Sequence, residues 1–111
     1  DITHGHGLAI ITPRWLTYIL NDTTAPAIYR LGTNVFGVER GLNTIDGAKK
    51  AIAALSDFCF GTLGLSSTLT GLNIDKTHFK AMAEHACMGG VITGPMELHP
   101  EDVEKIYEMC L

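Results

Sequence analysis

The chain has 111 residues, a length that suits one small domain. Its formal net charge is −4 and its lysines and arginines form no cluster, so nucleic acid is not an expected partner, because phosphate backbones bind basic surfaces. Hydrophobic residues make up 46% of the sequence and charged residues 18%. This apolar excess either fills an alanine-rich core or predicts a surface that meets another domain or subunit.

The sequence contains no apolar run of the length that crosses a bilayer, so we expect no membrane span. The cysteines are Cys59, Cys87 and Cys110, an odd number with no CxxC pair among them. That usage favours reduced thiols over a disulfide framework and predicts a cytoplasmic protein.

Apolar residues recur at helical spacing along the chain, and no segment shows the sustained alternation of a strand. The sequence therefore predicts an all-α fold, a bundle of about five helices. The core is expected to include Trp15, Ile52, Leu55, Phe79 and Ile106. The predicted apolar stripes are, helix by helix, Leu8, Ile11, Trp15 and Ile19; Ile28, Leu31 and Val35; Ile45, Ala48, Ile52, Leu55 and Cys59; Phe79, Met82, Ala83 and Ala86; and Val103, Ile106, Tyr107 and Cys110.

Capping and breaking residues mark the expected helix ends. Pro13 lies inside the first apolar run and predicts a kink or a 3₁₀ start, and Asn21 and Asp22 end that helix. The predicted N-caps of the later helices are Thr23 or Thr24, Asn43 or Thr44, Asp75, and His99. Their expected ends are Gly37, Gly61 with Gly64, and Gly89 with Gly90.

Two histidines near the start are the first candidates for chemistry. Imidazole binds Fe, Zn, Ni and Cu, but His4 and His6 stand two positions apart and point to different sides of a helix. From the residues alone, either one is a metal ligand or both are solvated loop histidines. His78 and His85 are ordinary helix residues in this interpretation, and Cys87 is a buried neutral thiol.

The stretch THGHGLAIITPRW, residues 3–15, resembles the metal-binding segment of the iron-containing (group III) alcohol dehydrogenases. In that segment a histidine-glycine pair precedes small and apolar residues and a proline. The pattern is most similar to the butanol-dehydrogenase and aldehyde-reductase branch. The stretches LGTNVFGV, LGLSSTLTGLNID and LHPEDVEKIYEMCL are similar to later segments of the family and occur in the same order, so the resemblance covers essentially the whole chain.

The resemblance implies a two-domain enzyme. Its N-terminal α/β domain binds NAD or NADP, and its helical C-terminal domain holds a divalent metal, iron or zinc, with one Asp and three His. By motif, His4 matches the last of those histidines, and the other three ligands and the dinucleotide-binding domain are expected upstream, outside this chain. His6 and Cys87 are expected near the substrate cleft, and no residue here is assigned to catalysis or to cofactor binding.

The implied reaction is hydride transfer between a small alcohol or aldehyde and the nicotinamide cofactor. The implied partners are the protein's own N-terminal domain and further copies of the chain in a homo-oligomer. Alone, the chain is expected to be inactive, because it lacks a dinucleotide-binding unit and retains one metal ligand.

The alternatives are a glycerol-dehydrogenase-like branch of the same superfamily and a non-catalytic helical interaction module. The glycine-flanked His4 before a proline-containing helix argues against the module, which has no need of it.

Overall fold

The computed structural model describes residues 3–111 and contains five α-helices, which confirms the predicted all-α class. They are α1 (His4–Ile19), α2 (Ala25–Val35), α3 (Thr44–Ser56), α4 (Phe79–Cys87) and α5 (Pro100–Met109). Within residues 3–111 there is no strand, only an isolated antiparallel bridge between Ile92 and Leu98 that closes the loop between them.

The chain forms two compact units. One consists of the described residues up to Arg14 together with Ser66–Leu111, and the other is Trp15–Leu65. The first unit contains α4 and α5, and the second contains α2 and α3. None of the helices in the described part of the chain combines the length and apolar character that a membrane crossing requires.

Helix α1 is α-helical from His4 onward, with Pro13 inside it, so the predicted 3₁₀ start is wrong. A proline removes one backbone donor from a helix, and side chains supply additional bonds around it. Thr12 Oγ1 donates to the Leu8 carbonyl oxygen at 2.6 Å, and the Arg14 guanidinium donates to that of Ile10 at 3.0 Å. The helix ends at Ile19, just before the predicted Asn21 and Asp22.

At the start of α2 the predicted cap residue is in place, but a different side chain accepts the hydrogen bonds. Thr24 occupies the N-cap position, but its side chain makes no cap hydrogen bond; its Oγ1 donates to the Ile19 carbonyl oxygen at 2.9 Å. Asn21 Oδ1 accepts from the backbone N–H groups of Thr23 and Thr24 instead, at 2.8 and 3.0 Å. The sequence predicts a threonine cap here, because it does not show which side chain of the turn lies close to the unpaired N–H groups at the helix start.

Helices α2 and α3 pack closely because small residues meet at their contact. A Cβ added to Gly32 would lie 2.6 Å from the Ala51 Cβ, and one added to Gly47 would lie 2.5 Å from the Tyr29 ring. Neither distance is tolerable between carbon atoms, so both positions require glycine. The buried residues of α2 are Ala25, Ile28 and Gly32, so the predicted stripe is confirmed at Ile28 and wrong at Leu31 and Val35, which are exposed.

Helix α3 begins as predicted, with Asn43 Oδ1 accepting from the Asp46 backbone N–H at 2.9 Å. It does not continue as an α-helix to Cys59. From Asp57 to Thr62 the backbone turns into a π-helix, and Cys59 is only partly buried. The π-turn changes the angular spacing of the side chains, so a stripe counted at α-helical spacing fails there.

Asp75 caps a 3₁₀ turn, Lys76–His78, that leads into α4; its carboxylate accepts from the Thr77 backbone N–H at 2.9 Å. Hydrogen bonding from the Thr77 side chain, and next from its backbone N–H, lowers the pKa of Asp75. Helix α4 ends at Cys87, followed by two residues with positive φ, Met88 (51°) at the C-cap and the predicted Gly89 (80°). The predicted cap of α5 is confirmed at His99, whose backbone N–H donates to the Asp102 carboxylate at 2.9 Å.

The predicted core is confirmed at Ile52, Phe79 and Ile106 and wrong at Trp15 and Leu55, which are only partly buried. Along α1 the buried residues are Ile10, Pro13, Leu16 and Ile19 rather than Leu8, Ile11 and Trp15. Along α4 they are Phe79, Ala83 and Cys87, while Met82 and Ala86 are exposed. The run in α1 is apolar on every side, so its spacing fits more than one buried face.

Large apolar side chains are exposed in both units, which favours the second of the two alternatives that the composition left open. The most exposed are Leu8, Val35, Phe58, Leu63 and Met88. Isolated apolar residues on a surface are ordinary, but this number on so short a chain agrees with a surface that meets further protein.

Replacing Phe79 by alanine tests the core of the first unit. Phe79 is buried on α4 and its ring lies 5.5 Å from that of Tyr107 on α5. We expect Phe79→Ala to lower the free energy of unfolding by about 3–5 kcal/mol, and Met82→Ala on the exposed side of α4 to lower it by less than about 1 kcal/mol. Urea unfolding followed by far-ultraviolet circular dichroism measures both; equal losses would contradict the assignment of the buried face.

Candidate metal centre

The N-terminal turn of α1 carries the two candidate histidines and is capped by a residue that the sequence analysis overlooked. Thr3 Oγ1 accepts from the His6 backbone N–H at 3.3 Å, and the Thr3 carbonyl oxygen accepts from the Gly7 N–H at 3.1 Å. Threonine is a favoured N-cap residue, because its side chain pairs with an N–H group that has no partner inside the helix. The helix therefore begins at His4, and neither histidine lies in a loop.

His4 is exposed at the first position of α1. Its ring makes no hydrogen bond or ion pair with any residue in the described part of the chain, so its nitrogen atoms are accessible to an external partner. A protein metal site needs three or four ligands. Residues 3–111 contain no group of three or more His, Cys, Asp or Glu side chains that could hold a metal ion. The assignment of His4 as a metal ligand therefore stays a prediction.

The ring of His6 is engaged inside the first unit. Its Nε2 lies 3.1 Å from the Ser66 carbonyl oxygen, and the contact is partly buried. A carbonyl oxygen only accepts, so Nε2 carries the proton and donates, which leaves Nδ1 as the unprotonated nitrogen of a neutral ring. The expectation that His6 lies near the substrate cleft stays a prediction; this contact gives the ring a structural partner as well.

The segment that receives His6 is itself fixed. Ser66 Oγ donates to the Thr68 carbonyl oxygen at 3.4 Å, and the Leu69 N–H donates to the Cys110 carbonyl oxygen at 2.8 Å. A Cβ added to Gly71 would lie 2.5 Å from Ser66 Oγ, so the backbone passes close to this serine. The Ser66 carbonyl oxygen is thus part of an ordered segment that is tied to the C-terminal end of the chain.

Cys110 connects the end of the chain to α1. Its side chain is fully buried, with Sγ 3.2 Å from the Ile106 carbonyl oxygen and 3.8 Å from that of Ile10. Burial raises the pKa of the Cys110 thiol, with a smaller opposing effect from Arg14. The thiol therefore stays protonated at neutral pH and packs as a small apolar side chain.

Cys87 is buried on α4, and its Sγ lies 3.9 Å from the Leu98 carbonyl oxygen. This confirms the predicted burial of Cys87, while its proximity to a substrate cleft remains a prediction. His78 and His85 are exposed, as expected of ordinary helix residues.

Thr3 could have been identified from the sequence, since a threonine precedes the glycine-rich helix start; Ser66 could not, because it acts through its backbone carbonyl.

Cysteine reactivity tests these surroundings. We expect iodoacetamide at neutral pH to alkylate the partly exposed Cys59 before Cys87 and Cys110, because both of the latter are shielded by burial and burial also raises the pKa of Cys110. Mass spectrometry of digested protein measures the three rates, and unfolded protein, in which they should converge, is the control. Rapid alkylation of Cys87 in the folded protein would show that its surroundings are open.

The chain is similar in sequence to butanol dehydrogenases and to a 1,3-propanediol dehydrogenase. The chain is 38% identical over 110 residues to the NADH-dependent butanol dehydrogenase A of Clostridium acetobutylicum and 36% identical to butanol dehydrogenase B of the same organism. Each alignment covers 97% of this chain and 28% of the relative. The 1,3-propanediol dehydrogenase of Klebsiella pneumoniae is 27% identical over 114 residues. The chain therefore spans somewhat more than a quarter of the length of the curated relatives it matches.

A solved structure agrees with these sequence matches. The crystal structure of an NADH-dependent butanol dehydrogenase A from Thermotoga maritima superposes with a TM-score of 0.79 at 25% identity, over 99% of this chain and 29% of that one. Residues 1–111 also match the C-terminal part of the Fe-containing alcohol dehydrogenase family. The chain belongs to that family and corresponds to its helical C-terminal domain.

Proposed function

We propose that this chain is the metal-binding, helical part of an NAD(P)-dependent alcohol dehydrogenase and that His4 is one ligand of its divalent metal. The observation that carries the proposal is the position of His4: it is exposed, has no partner within the described residues, and stands first in a helix whose start is capped by Thr3. The family match over the whole chain supplies the chemical context.

The family name favours iron as the metal, and zinc is the alternative. When bound, such a metal supplies Lewis-acid chemistry, which lowers the pKa of an alcohol or polarises an aldehyde carbonyl. This chain's part is to present the His4 imidazole at a fixed helix terminus. In this proposal the remaining ligands and the nicotinamide-binding domain belong to the rest of the protein.

The substrate we propose is a small alcohol, or the corresponding aldehyde in the reverse direction, with NADH as the favoured cofactor. The relatives named as butanol dehydrogenases support this choice, since two of them are more than 35% identical to this chain. A glycerol-dehydrogenase-like activity is the second candidate within the superfamily. A purely structural interaction module is disfavoured, because it gives no role to a histidine that has no partner in the described residues and begins a glycine-containing helical turn.

Partners follow from the same proposal. The exposed apolar side chains of both units, among them Leu8 and Val35, would meet the N-terminal domain or other copies of the protein in a homo-oligomer. The chain alone would not transfer hydride, because nothing in an all-α chain forms the βαβ unit that binds a dinucleotide.

Substitution of His4 tests the proposal in the full-length protein. We expect His4→Ala to remove most of the bound metal and to reduce alcohol oxidation by orders of magnitude, while the helical content stays unchanged because an exposed side chain contributes little to packing. Metal content by elemental analysis and turnover with butanol and NAD⁺ are the measurements. His85→Ala, which removes another exposed helical histidine, is the matched control.

Two outcomes would contradict this assignment. Full metal content and turnover in the His4→Ala protein would exclude His4 as a ligand. Loss of both in the His6→Ala protein with full retention in the His4→Ala protein would assign the ligand to the other histidine of the pair.

A further inference from the structure

The N-terminal turn of α1 combines a proposed metal ligand with a backbone that is intrinsically loose. Gly5 and Gly7 follow His4 and His6, and glycine in a helix costs about 1 kcal/mol relative to alanine, because its unfolded chain has more conformational freedom. The first turn of any helix also lacks internal partners for its N–H groups. Left to itself, this turn would fray and His4 would sample many positions.

Two contacts oppose fraying, and both involve His6. Its backbone N–H donates to Thr3 Oγ1, and its ring donates to the Ser66 carbonyl oxygen, 60 residues away in the sequence. The first contact closes the turn locally. The second attaches the turn to the ordered segment that the Leu69 N–H ties to Cys110.

We propose that His6 is a positioning residue: its hydrogen bond to the Ser66 carbonyl oxygen holds the first turn of α1 in place and thereby fixes the His4 imidazole for metal binding. This inference rests on the proposed function, since it requires His4 to be a ligand. His6 acts through the backbone of the turn and touches neither metal nor substrate in this role. It gives the second histidine a purpose distinct from ligation and from the substrate cleft.

The chemistry of the contact defines a conservative replacement. Ser66 contributes a carbonyl oxygen, so any side chain with an N–H donor at the same reach can replace the imidazole. Glutamine places its amide nitrogen close to the position of Nε2, whereas alanine removes the donor. His6→Gln is therefore expected to keep the tie and His6→Ala to lose it.

Gly5 offers an independent way to restore the turn. A Cβ at Gly5 would meet nothing within 4 Å, so alanine fits there without a clash and stiffens the helix start. If His6 works by holding the turn, Gly5→Ala in the His6→Ala background should recover part of what was lost. A role of His6 in direct contact with the metal or substrate predicts no such recovery.

The experiment uses the full-length protein and reads metal binding and backbone dynamics separately. Zn²⁺ affinity is measured by chelator competition, the visible absorption of the Co²⁺-substituted protein reports ligand geometry, and hydrogen exchange of the peptide covering residues 4–10 is followed without metal. We expect His6→Ala to weaken Zn²⁺ binding by about tenfold, to alter the Co²⁺ spectrum and to accelerate exchange. His6→Gln should stay close to the unsubstituted protein, and Gly5→Ala with His6→Ala should lie between.

The outcomes separate this inference from the proposed function. Loss of metal in the His4→Ala protein combined with unchanged Zn²⁺ affinity in the His6→Ala protein would overturn the positioning role and leave the proposed function intact. Retained metal in the His4→Ala protein would overturn both. Faster exchange in the His6→Ala protein, with no change in Zn²⁺ affinity or in the Co²⁺ spectrum, would show that the contact stabilises the turn without affecting metal binding. That result would also overturn the inference.

Discussion

The hydrogen bond from the His6 ring to the Ser66 carbonyl oxygen is the contact on which the proposed positioning of His4 depends. It joins the first turn of α1 to a segment more than half the chain away, and that segment is joined in turn to the C-terminal end through Leu69 and Cys110. Around it, Thr3 caps the helix and Cys110 packs against the Ile10 carbonyl oxygen. A helix start with two glycines is thus held by polar contacts at its end and by buried side chains one turn further on.

The second unit depends on a different constraint, the close approach of α2 and α3. Gly32 faces Ala51 and Gly47 faces the Tyr29 ring, at separations that exclude any side chain at either glycine. Tyr29 then extends past the helices, where its hydroxyl donates to the Glu39 carbonyl oxygen at 2.6 Å and accepts from the Leu42 N–H at 3.2 Å. One aromatic side chain therefore fills the space above a glycine and also fixes the connection between the two helices.

The exposed apolar surface follows from the small residues at the contact between α2 and α3. Because glycine and alanine occupy that contact, larger residues such as Leu31 and Val35 remain exposed. Each of them therefore lacks the stabilisation of about 25 cal/mol per Å² that burial of apolar surface provides. In a chain that matches only 28% of the length of its relatives, such surface is what an internal boundary of a larger protein would contain. The composition and the structure thus agree with a domain that folds against further protein.

The sequence by itself determined the class of fold and most helix ends. Helical spacing and the Asn43 and His99 caps are local features, and local physics is sufficient to interpret them. The sequence also indicated the family, since the diagnostic residues lie in short continuous stretches, and that resemblance selected His4 as the proposed ligand. The tertiary structure alone decided which side of α1 and of α2 is buried, because α1 is apolar all round and α2 buries Gly32 in place of Leu31. It alone also gave His6 a partner, since a backbone carbonyl oxygen leaves no trace in the sequence and chain folding brings Ser66 to within 3.1 Å of the ring.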